Sequence, residues 1–243
     1  MKTIRQNLKG WPGMIGTIGL LALMLSSCVK GNNNNVTVQQ LASLAVIDAS
    51  PDAPPLDFFL ETTRVNSSAI NYGGGLGYFS AYAGVRNAIF YADATLTKIA
   101  SDSINLKVNH SYTLFLTNVV ANPDIILLND SIPKPAANMA AVRFVNVSPD
   151  AGPVDFSLKG VGGSLSAVAG NISYKGSTAF LGVTAAVSDT IVVVKAGTTT
   201  VLATVPTVNL QSSGIYTVWL YGLANGTPAE KLTANIVLNT YSY

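Results

Sequence analysis

The phrase SPDAPPLDFFL at residues 50–60 returns as SPDAGPVDFSL at residues 148–158, and this repetition decides how the chain is organised. The two copies begin 98 residues apart, and the segments around them agree as well. HSYTLFLTN at residues 110–118 matches the central part of SGIYTVWLYG at residues 213–222. Because the order of these segments is kept over repeats of about 90 residues, the pattern indicates a duplicated domain rather than a solenoid of short units.

Each copy has the pattern of β-strands joined by turns. VRFVNV at residues 142–147 is rich in β-branched and aromatic residues, as a strand is. Two apolar runs within residues 189–205 flank KAGTTT, which predicts a hairpin with Gly197 at its tip. Beyond residue 27, no stretch of 12 or more residues keeps the hydrophobic period of an α-helix. We therefore predict an all-β fold with two tandem immunoglobulin-like β-sandwich domains, at residues 41–133 and 138–243.

The repeated phrase itself predicts a corner of each domain. Proline at the second position of a turn fixes φ near −65°, and the Ser and Asp beside it supply acceptors for free backbone N–H groups. We assign this structural role to two sets of residues, Ser50, Pro51 and Asp52 in the first copy and Ser148, Pro149 and Asp150 in the second.

The beginning of the chain has the pattern of a bacterial export signal. Three basic residues precede MIGTIGLLALML at residues 14–25, an apolar run too short for a confident membrane span. The LSSC that ends the segment resembles a lipobox, so we predict a lipoprotein signal peptide at residues 1–27 and lipidation of Cys28. The alternative is an ordinary signal peptide. Cys28 is the only cysteine of the chain, which excludes an internal disulfide.

Residues 28–40 are predicted to be the lipidated cysteine and a flexible tether. VKGNNNNVTVQQ is polar, and a chain of this kind reaches roughly 20 Å. Several acyl chains on Cys28 would anchor the protein stably to a membrane. Val29 after the cysteine resembles lipoproteins that are sorted to the outer membrane, which is the predicted location. The sequence leaves open whether the domains face the periplasm or the cell surface.

The charge balance excludes nucleic acid as the main partner. After cleavage before Cys28 the chain keeps 11 basic and 12 acidic residues, and it has no block of Lys or Arg. The whole sequence is 49% hydrophobic and only 11% charged.

The repeated phrase also supports a family resemblance. RFVNVSPDAGPVDFSLKG and its upstream copy resemble the opening signature of the DUF4397 family, a bacterial family of unknown function. Its members carry S-P-D-A-P-x-x-D at the start of a β-sandwich, often in tandem and often after a lipobox. The resemblance implies a sandwich fold and an envelope location, and it implies no activity or functional residue. The second copy departs from the pattern at Gly152, where the first has Pro54.

The residues that carry chemistry predict no catalytic site, metal site or cofactor. Asp52, Asp57, Asp150 and Asp155 form two acidic pairs, which we interpret as supports of the turns. Calcium binding is the alternative, although no DxDxDG-type loop is present. The single histidine, His110, and the missing G-x-S-x-G elbow argue against a hydrolase triad.

Two other patterns suggest surface functions. NYGGGLGYFSAYAG at residues 71–84 suggests a flexible binding loop, or else a glycine-rich connection, and Tyr78 and Tyr82 are the candidate ligand-binding residues. The tripeptides DSI, DSI and DTI resemble an O-glycosylation signal of some envelope proteins, with Ser103, Ser131 and Thr190 as candidate acceptors.

Together these features predict a non-enzymatic outer-membrane lipoprotein that binds a glycan or an envelope or surface protein. The alternative is a structural subunit of a fimbria-like assembly, in which the final strand at residues 233–243 completes the sheet of a neighbour. A glycan hydrolase is the third hypothesis, and it would require Asp57 and Asp155 to act as catalytic carboxylates.

Overall fold

The computed structural model describes residues 39–239, with the side chain of Val187 excepted. Within this range the chain forms sixteen β-strands and no helix, so no helix of this range is able to cross a membrane. The predicted all-β fold is confirmed. The predicted signal peptide, Cys28 and most of the tether lie outside the described residues, as do the last four residues of the predicted final strand.

The first sandwich has two four-stranded sheets. One sheet has the order β4-β1-β7-β8 and the other β3-β2-β5-β6. The pairing is antiparallel except between β1 and β7, which run parallel. The strands are β1 (Leu41–Asp48), β2 (Leu56–Leu60), β3 (Thr63–Arg64), β4 (Gly75–Tyr82), β5 (Gly84–Ala92), β6 (Lys98–Leu106), β7 (Ser111–Thr117) and β8 (Asp124–Asn129).

The second sandwich repeats this arrangement. Its sheets have the orders β12-β9-β15-β16 and β11-β10-β13-β14, and β9 and β15 are again parallel. The hairpin predicted around Gly197 joins β13 to β14. The strands are β9 (Met139–Asn146), β10 (Val154–Lys159), β11 (Leu165–Ile172), β12 (Leu181–Thr184), β13 (Ala186–Lys195), β14 (Val201–Leu210), β15 (Ile215–Tyr221) and β16 (Thr233–Leu238).

Each sandwich has its own core, built from the inward-facing residues of alternating strands. In the first sandwich the tilted rings of Phe58 and Phe90 pack with their centroids 5.0 Å apart, and in the second those of Phe144 and Phe156 pack 4.7 Å apart. All four rings are completely buried. Burying a side chain of this size contributes roughly 1.5–3 kcal/mol. The prediction of two β-sandwiches is therefore confirmed.

A third core joins the two sandwiches. The side chains of β1, β7, β9 and β15 that point away from their own sandwich pack against each other, and Phe115 meets Trp219 edge to face at 5.8 Å. These four strands are consequently buried on both faces along most of their length. Residues 39–239 lie within one compact unit that contains the four sheets. The buried members of this third core are Ile47, Ala49, Phe115, Val145, Val147, Trp219 and Tyr221.

Candidate functional site

The first copy of the repeated phrase ties the end of β1 to the loop that follows β7. The Ser50 hydroxyl donates to the carbonyl oxygen of Asn118 at 2.6 Å. The Asp52 carboxylate accepts the backbone N–H of Val120 at 2.8 Å. The Pro51 residue between them lies at the turn. The carboxylate therefore satisfies a backbone donor of a distant loop.

The second copy makes the same contacts. The Ser148 hydroxyl donates to the carbonyl oxygen of Gly222 at 2.6 Å, and the Asp150 carboxylate accepts the backbone N–H of Ala224 at 2.7 Å. Pro149 again lies between them, buried only in part. The loop after β15 corresponds to the loop after β7. The repeated phrase therefore makes the same two hydrogen bonds in both sandwiches.

The second aspartate of each phrase is also used within the fold. Asp57 forms an ion pair with Arg64 at 2.5 Å. Asp155 accepts the backbone N–H groups of Asn171 at 2.7 Å and Gly197 at 2.9 Å. Each carboxylate thus links a strand to a neighbouring turn or strand.

Metal-ligating side chains do not cluster within residues 39–239. No group of three or more His, Cys, Asp or Glu side chains comes together there. The His110 ring Nδ1 lies 3.0 Å from the carbonyl oxygen of Val108, and the ring stacks on Tyr112 at 6.3 Å.

The glycine-rich segment forms the edge strand β4 instead of a flexible loop over residues 75–82. A Cβ atom at Gly75 would collide with the carbonyl oxygen of Val46 on β1. Gly73 has a φ of 77°, and a Cβ there would lie 2.8 Å from the Tyr221 hydroxyl. At Gly77, by contrast, a Cβ would meet no atom within 4 Å. Two of the glycines therefore allow close packing, and the third borders open space.

The two candidate tyrosines lie in different places. The Tyr78 hydroxyl donates to Asp130 at 2.6 Å and accepts the side-chain amide of Asn239 at 2.7 Å, so this residue lies where the two sandwiches meet. Burial and the charge of Asp130 raise the pKa of Tyr78 above its usual value. Tyr82 is 56% exposed at the other end of β4, where its hydroxyl accepts a hydrogen bond from Gln39 at 3.2 Å. The two tyrosines do not form one site.

Tyr82 borders a groove of about 350 Å³ between the edge strands β3 and β4. Its floor is apolar because Leu60, Val65 and Phe79 pack against the core of the first sandwich. The Arg86 guanidinium donates from Nε to the carbonyl oxygen of Tyr82 at 2.9 Å and from Nη2 to that of Ala83 at 2.6 Å. The polar and aromatic residues of its rim are Glu61, Thr63, Ser80, Tyr82 and Arg86.

The second sandwich has a groove of about 560 Å³ at the corresponding edge, between β11 and β12. Leu158 and Leu181, which pack against the core of the second sandwich, and the buried Asp189 are among the residues that line it. Thr184 corresponds to Tyr82, since it pairs with Met139 as Tyr82 pairs with Leu41. The second groove therefore lacks the aromatic side chain of the first. Neither groove is visible in the sequence, because each is formed by edge strands that are distant along the chain.

The three candidate glycosylation sites differ in exposure. Ser103 is exposed on β6, an edge strand. Ser131 is half-buried, and its hydroxyl accepts the backbone N–H of Ser111 at 2.9 Å. Thr190 is half-buried on β13, which is paired on both sides.

One solved structure that resembles this chain is the CBM26-family module CBMbc of Eubacterium rectale Amy13K, in complex with maltoheptaose. The sequence identity is 10%, the alignment covers 83% of this chain and 97% of the module, and the TM-score is 0.26. A likeness this distant carries no information on what this chain binds. Among the curated proteins compared with it, none matches the sequence.

The sequence matches the family model described as Domain of unknown function (DUF4397) over residues 42–157. The matched range contains the first sandwich and nearly all of the second copy of the repeated phrase. The family resemblance seen in that phrase is thereby confirmed for residues 42–157, which match the DUF4397 family model.

Proposed function

We propose that this chain is a non-enzymatic binding module of the cell envelope and that it binds a glycan in the groove beside Tyr82. The exposed Tyr82 ring above an apolar floor is the observation that carries the proposal. Sugar rings present C–H groups on their faces, and these pack on aromatic rings, while their hydroxyl groups require polar partners. Ligand sites commonly combine apolar walls with a few placed polar groups.

The rim of the groove supplies one negatively and one positively charged group that could form hydrogen bonds with a glycan. One oxygen of Glu61 accepts the backbone N–H of Asn87 at 3.1 Å, which fixes the carboxylate at the rim. Arg86 is held by the carbonyl oxygens of Tyr82 and Ala83, and neither bond uses its Nη1. A carboxylate acceptor and a guanidinium donor that are already positioned reduce the entropy that binding a neutral polyol would cost.

Exchange of the corresponding residues in the two grooves provides the test. Tyr82→Thr gives the first groove the residue of the second, and Thr184→Tyr is the matched control. We expect a glycan array probed with the purified protein to identify a ligand, and calorimetry to show that Tyr82→Thr weakens it at least about tenfold. The control variant should bind as the unchanged protein does. Absence of any glycan ligand, or equal binding by Tyr82→Thr, would refute the proposal.

We also infer that the protein is anchored to the outer membrane through lipid on Cys28. The support is the sequence around LSSC and the solitary cysteine. Growth with an alkyne-labelled fatty acid should label the protein, and Cys28→Ser should abolish the label and release the protein from the membrane fraction. Label that persists in Cys28→Ser would contradict lipidation at this residue.

The face of the membrane is tested separately. Protease added to intact cells, with a periplasmic protein as the lysis control, degrades the domains when they lie outside. Protection would assign them to the periplasm, where a glycan ligand would have to come from the envelope itself.

The alternative role as a fimbria-like subunit has no specific support in the fold. The strand considered for donation, β16, pairs with β15 from Tyr221–Thr233 to Tyr216–Leu238. Donating it to a neighbour would unpair the edge of its own sheet and expose Ala234, which is buried in the second core. The geometry thus favours the binding module.

A further inference from the structure

The groove of the second sandwich, between β11 and β12, contains an acidic side chain without a partner. Asp189 is 9% exposed and lines this groove, whose volume of about 560 Å³ is within the usual range for ligand pockets. Its carboxylate forms no hydrogen bond with a described residue and takes part in none of the ion pairs within residues 39–239. Aspartate is almost never this buried unless it is paired, so a partner from outside the chain would complete this position.

A ligand in the groove is able to reach the Asp189 carboxylate. Its oxygen Oδ1 lies beside Gly160, another residue of the groove wall, where a Cβ atom would be 3.6 Å from it. Within residues 39–239, the side-chain atoms that are both unpaired and completely enclosed belong to other residues: Asp48, Tyr72, Arg143 and Trp219. The two oxygens of Asp189 are therefore unpaired but still accessible.

Asp189 has the position that Arg86 has in the first copy. It pairs with Val208 as Arg86 pairs with Ile104, and each of these partners lies two residues before the leucine that ends its strand. Two backbone carbonyl oxygens hold the Arg86 guanidinium, whereas no described residue holds the Asp189 carboxylate. The two grooves thus carry opposite charges at one position, and in the second groove the charge is left for a ligand.

The lining of the groove defines the ligand class. Half of the lining residues are aliphatic, none is basic, and the hydroxyl groups of Ser164, Ser166 and Thr184 are available as acceptors. An ammonium group has three N–H donors, which suit a carboxylate and hydroxyl oxygens. We propose that this groove binds a small molecule with a protonated primary amino group on an aliphatic body, and that Asp189 accepts a charge-assisted hydrogen bond from it. The proposal is independent of glycan binding beside Tyr82.

The test compares two probes of the same length. Hexylamine is protonated at pH 7, as the amine of a lysine side chain is, whereas 1-hexanol is uncharged. Each probe is titrated against the purified protein, and its dissociation constant is measured by ligand-observed NMR. We expect hexylammonium to bind at least about tenfold more tightly than hexanol, because a hydrogen bond between charged groups is stronger than one to a neutral hydroxyl.

Two variants with the same change of charge identify the carboxylate that binds the probe. Asp189→Asn removes the charge in the groove, and Asp102→Asn removes one from the exposed edge strand β6 as the matched control. We expect Asp189→Asn to weaken hexylammonium binding at least about tenfold without weakening hexanol binding. Asp102→Asn and Tyr82→Thr should leave the binding of both probes unchanged, so that failure of the glycan proposal and failure of this one are distinguishable.

Asp189→Asn should fold as the unchanged protein does. The variant keeps the size of the side chain, and the charge that it removes has no partner among the described residues. We therefore expect its unfolding temperature, without a probe, to be equal or higher. Weaker binding of hexylammonium is then an effect on the groove and not on folding.

Three outcomes would overturn the proposal. The first is that hexylammonium binds no more tightly than hexanol, which would remove the role of the charge. The second is that Asp189→Asn binds hexylammonium as the unchanged protein does, or that Asp102→Asn loses as much affinity. The third is tighter binding of a capped Ala-Lys-Ala peptide than of hexylammonium, which would assign the ammonium group to a lysine of a partner protein instead of a free amine.

Discussion

Arg143 of the second sandwich forms a buried ion pair with Asp130, which directly follows the last strand of the first. Arg143 Nη2 lies 2.5 Å from Asp130 Oδ1, and the two side chains are 4% and 0% exposed. The guanidinium also lies 4.7 Å from the ring centroid of Phe180. In the register of the two copies, Arg143 corresponds to Ala45 of the first copy and Asp130 corresponds to Asn239 of the second. The described residues therefore make this ion pair only once.

Removing either partner of this pair alone should strongly destabilise the docked sandwiches. Replacing one partner leaves the other charge buried without compensation, which typically costs about 3–5 kcal/mol. We expect Arg143→Met and Asp130→Asn each to lower the free energy of unfolding by that amount. The double variant should lose less than the sum of the two, because no buried charge is left unpaired. Urea unfolding of all four proteins measures this, and additive losses would contradict the coupling.

Asp48 and Asn146 provide a second comparison between the copies. Both side chains accept the backbone N–H two residues later, at 3.0 Å from Ser50 and 3.1 Å from Ser148. The Asn146 amide also donates to two carbonyl oxygens, each at 3.0 Å. The second oxygen of Asp48, Oδ2, has no partner among the described residues. Asp48 thus has the position of an asparagine but lacks its donor.

Burial raises the pKa of Asp48 from 3.8 to about 7, with a smaller contribution from the charge of Asp52, while the Ser50 hydrogen bond opposes the shift. Between these values the folded protein binds a proton that the unfolded chain does not. Stability should therefore fall as the pH rises from about 4 to about 7 and then level off.

We expect Asp48→Asn to raise the free energy of unfolding at pH 8 by about 1–3 kcal/mol and to flatten this pH dependence. The reverse change, Asn146→Asp, is the matched control and should destabilise the protein most at pH 8. Unfolding in urea at several values between pH 4 and pH 8 tests both. A variant Asp48→Asn with the same pH profile as the unchanged protein would show that this carboxyl group is not responsible.

The glycines of β4 should differ in their tolerance of a methyl group. At Gly75 a Cβ would collide with the carbonyl oxygen of Val46 and lie 3.2 Å from the Cα of Ile47, and neither backbone atom is able to move freely. We expect Gly75→Ala to cost about 2 kcal/mol or more, whereas Gly77→Ala should change stability by less than about 0.5 kcal/mol. Thermal unfolding of the two variants gives the comparison. Equal unfolding temperatures would mean that β1 and β4 adjust to each other.

O-glycosylation of the three candidate Ser and Thr residues should depend on how exposed each side chain is to solvent. Ser103 on the edge strand β6 is accessible, whereas the Ser131 hydroxyl is bound to the backbone of Ser111 and Thr190 is half-buried in a central strand. We expect glycopeptide mass spectrometry of the protein from its native host to find a glycan on Ser103 and none on Thr190. Ser103→Ala should then remove that glycan mass. Modification of Thr190 instead would contradict an order set by exposure of the folded chain.

Local sequence was sufficient to predict the type of fold. Alternating side chains, the hairpin at Gly197 and the repeated Ser-Pro-Asp corner are local features, because strand pleating and turn geometry depend on residues a few positions apart. The duplication added that the strands and corners of one copy recur in the other.

The packing of the two copies against each other could not be predicted from local sequence. Every residue of the strand Ser111–Thr117 is buried, yet three of the four side chains on one of its faces are Ser or Thr, so the sequence does not identify the partner of that face. The partner is supplied by β15, and Phe115 and Trp219 meet only because the two sheets lie face to face.

For the candidate binding residues, too, the sequence predicted the residue type but not the position in the fold. From the sequence, Tyr78 and Tyr82 were equivalent members of one aromatic segment, yet one is held between the sandwiches by Asp130 and the other is exposed at a groove. Their separation depends on their positions along the edge strand and on which sheet lies opposite. The sequence by itself determined the strands, the corners and the duplication, since these follow from local geometry. Only the tertiary structure decided the third core, the buried Arg143–Asp130 pair and the groove beside Tyr82, because each requires residues from distant parts of the chain to meet.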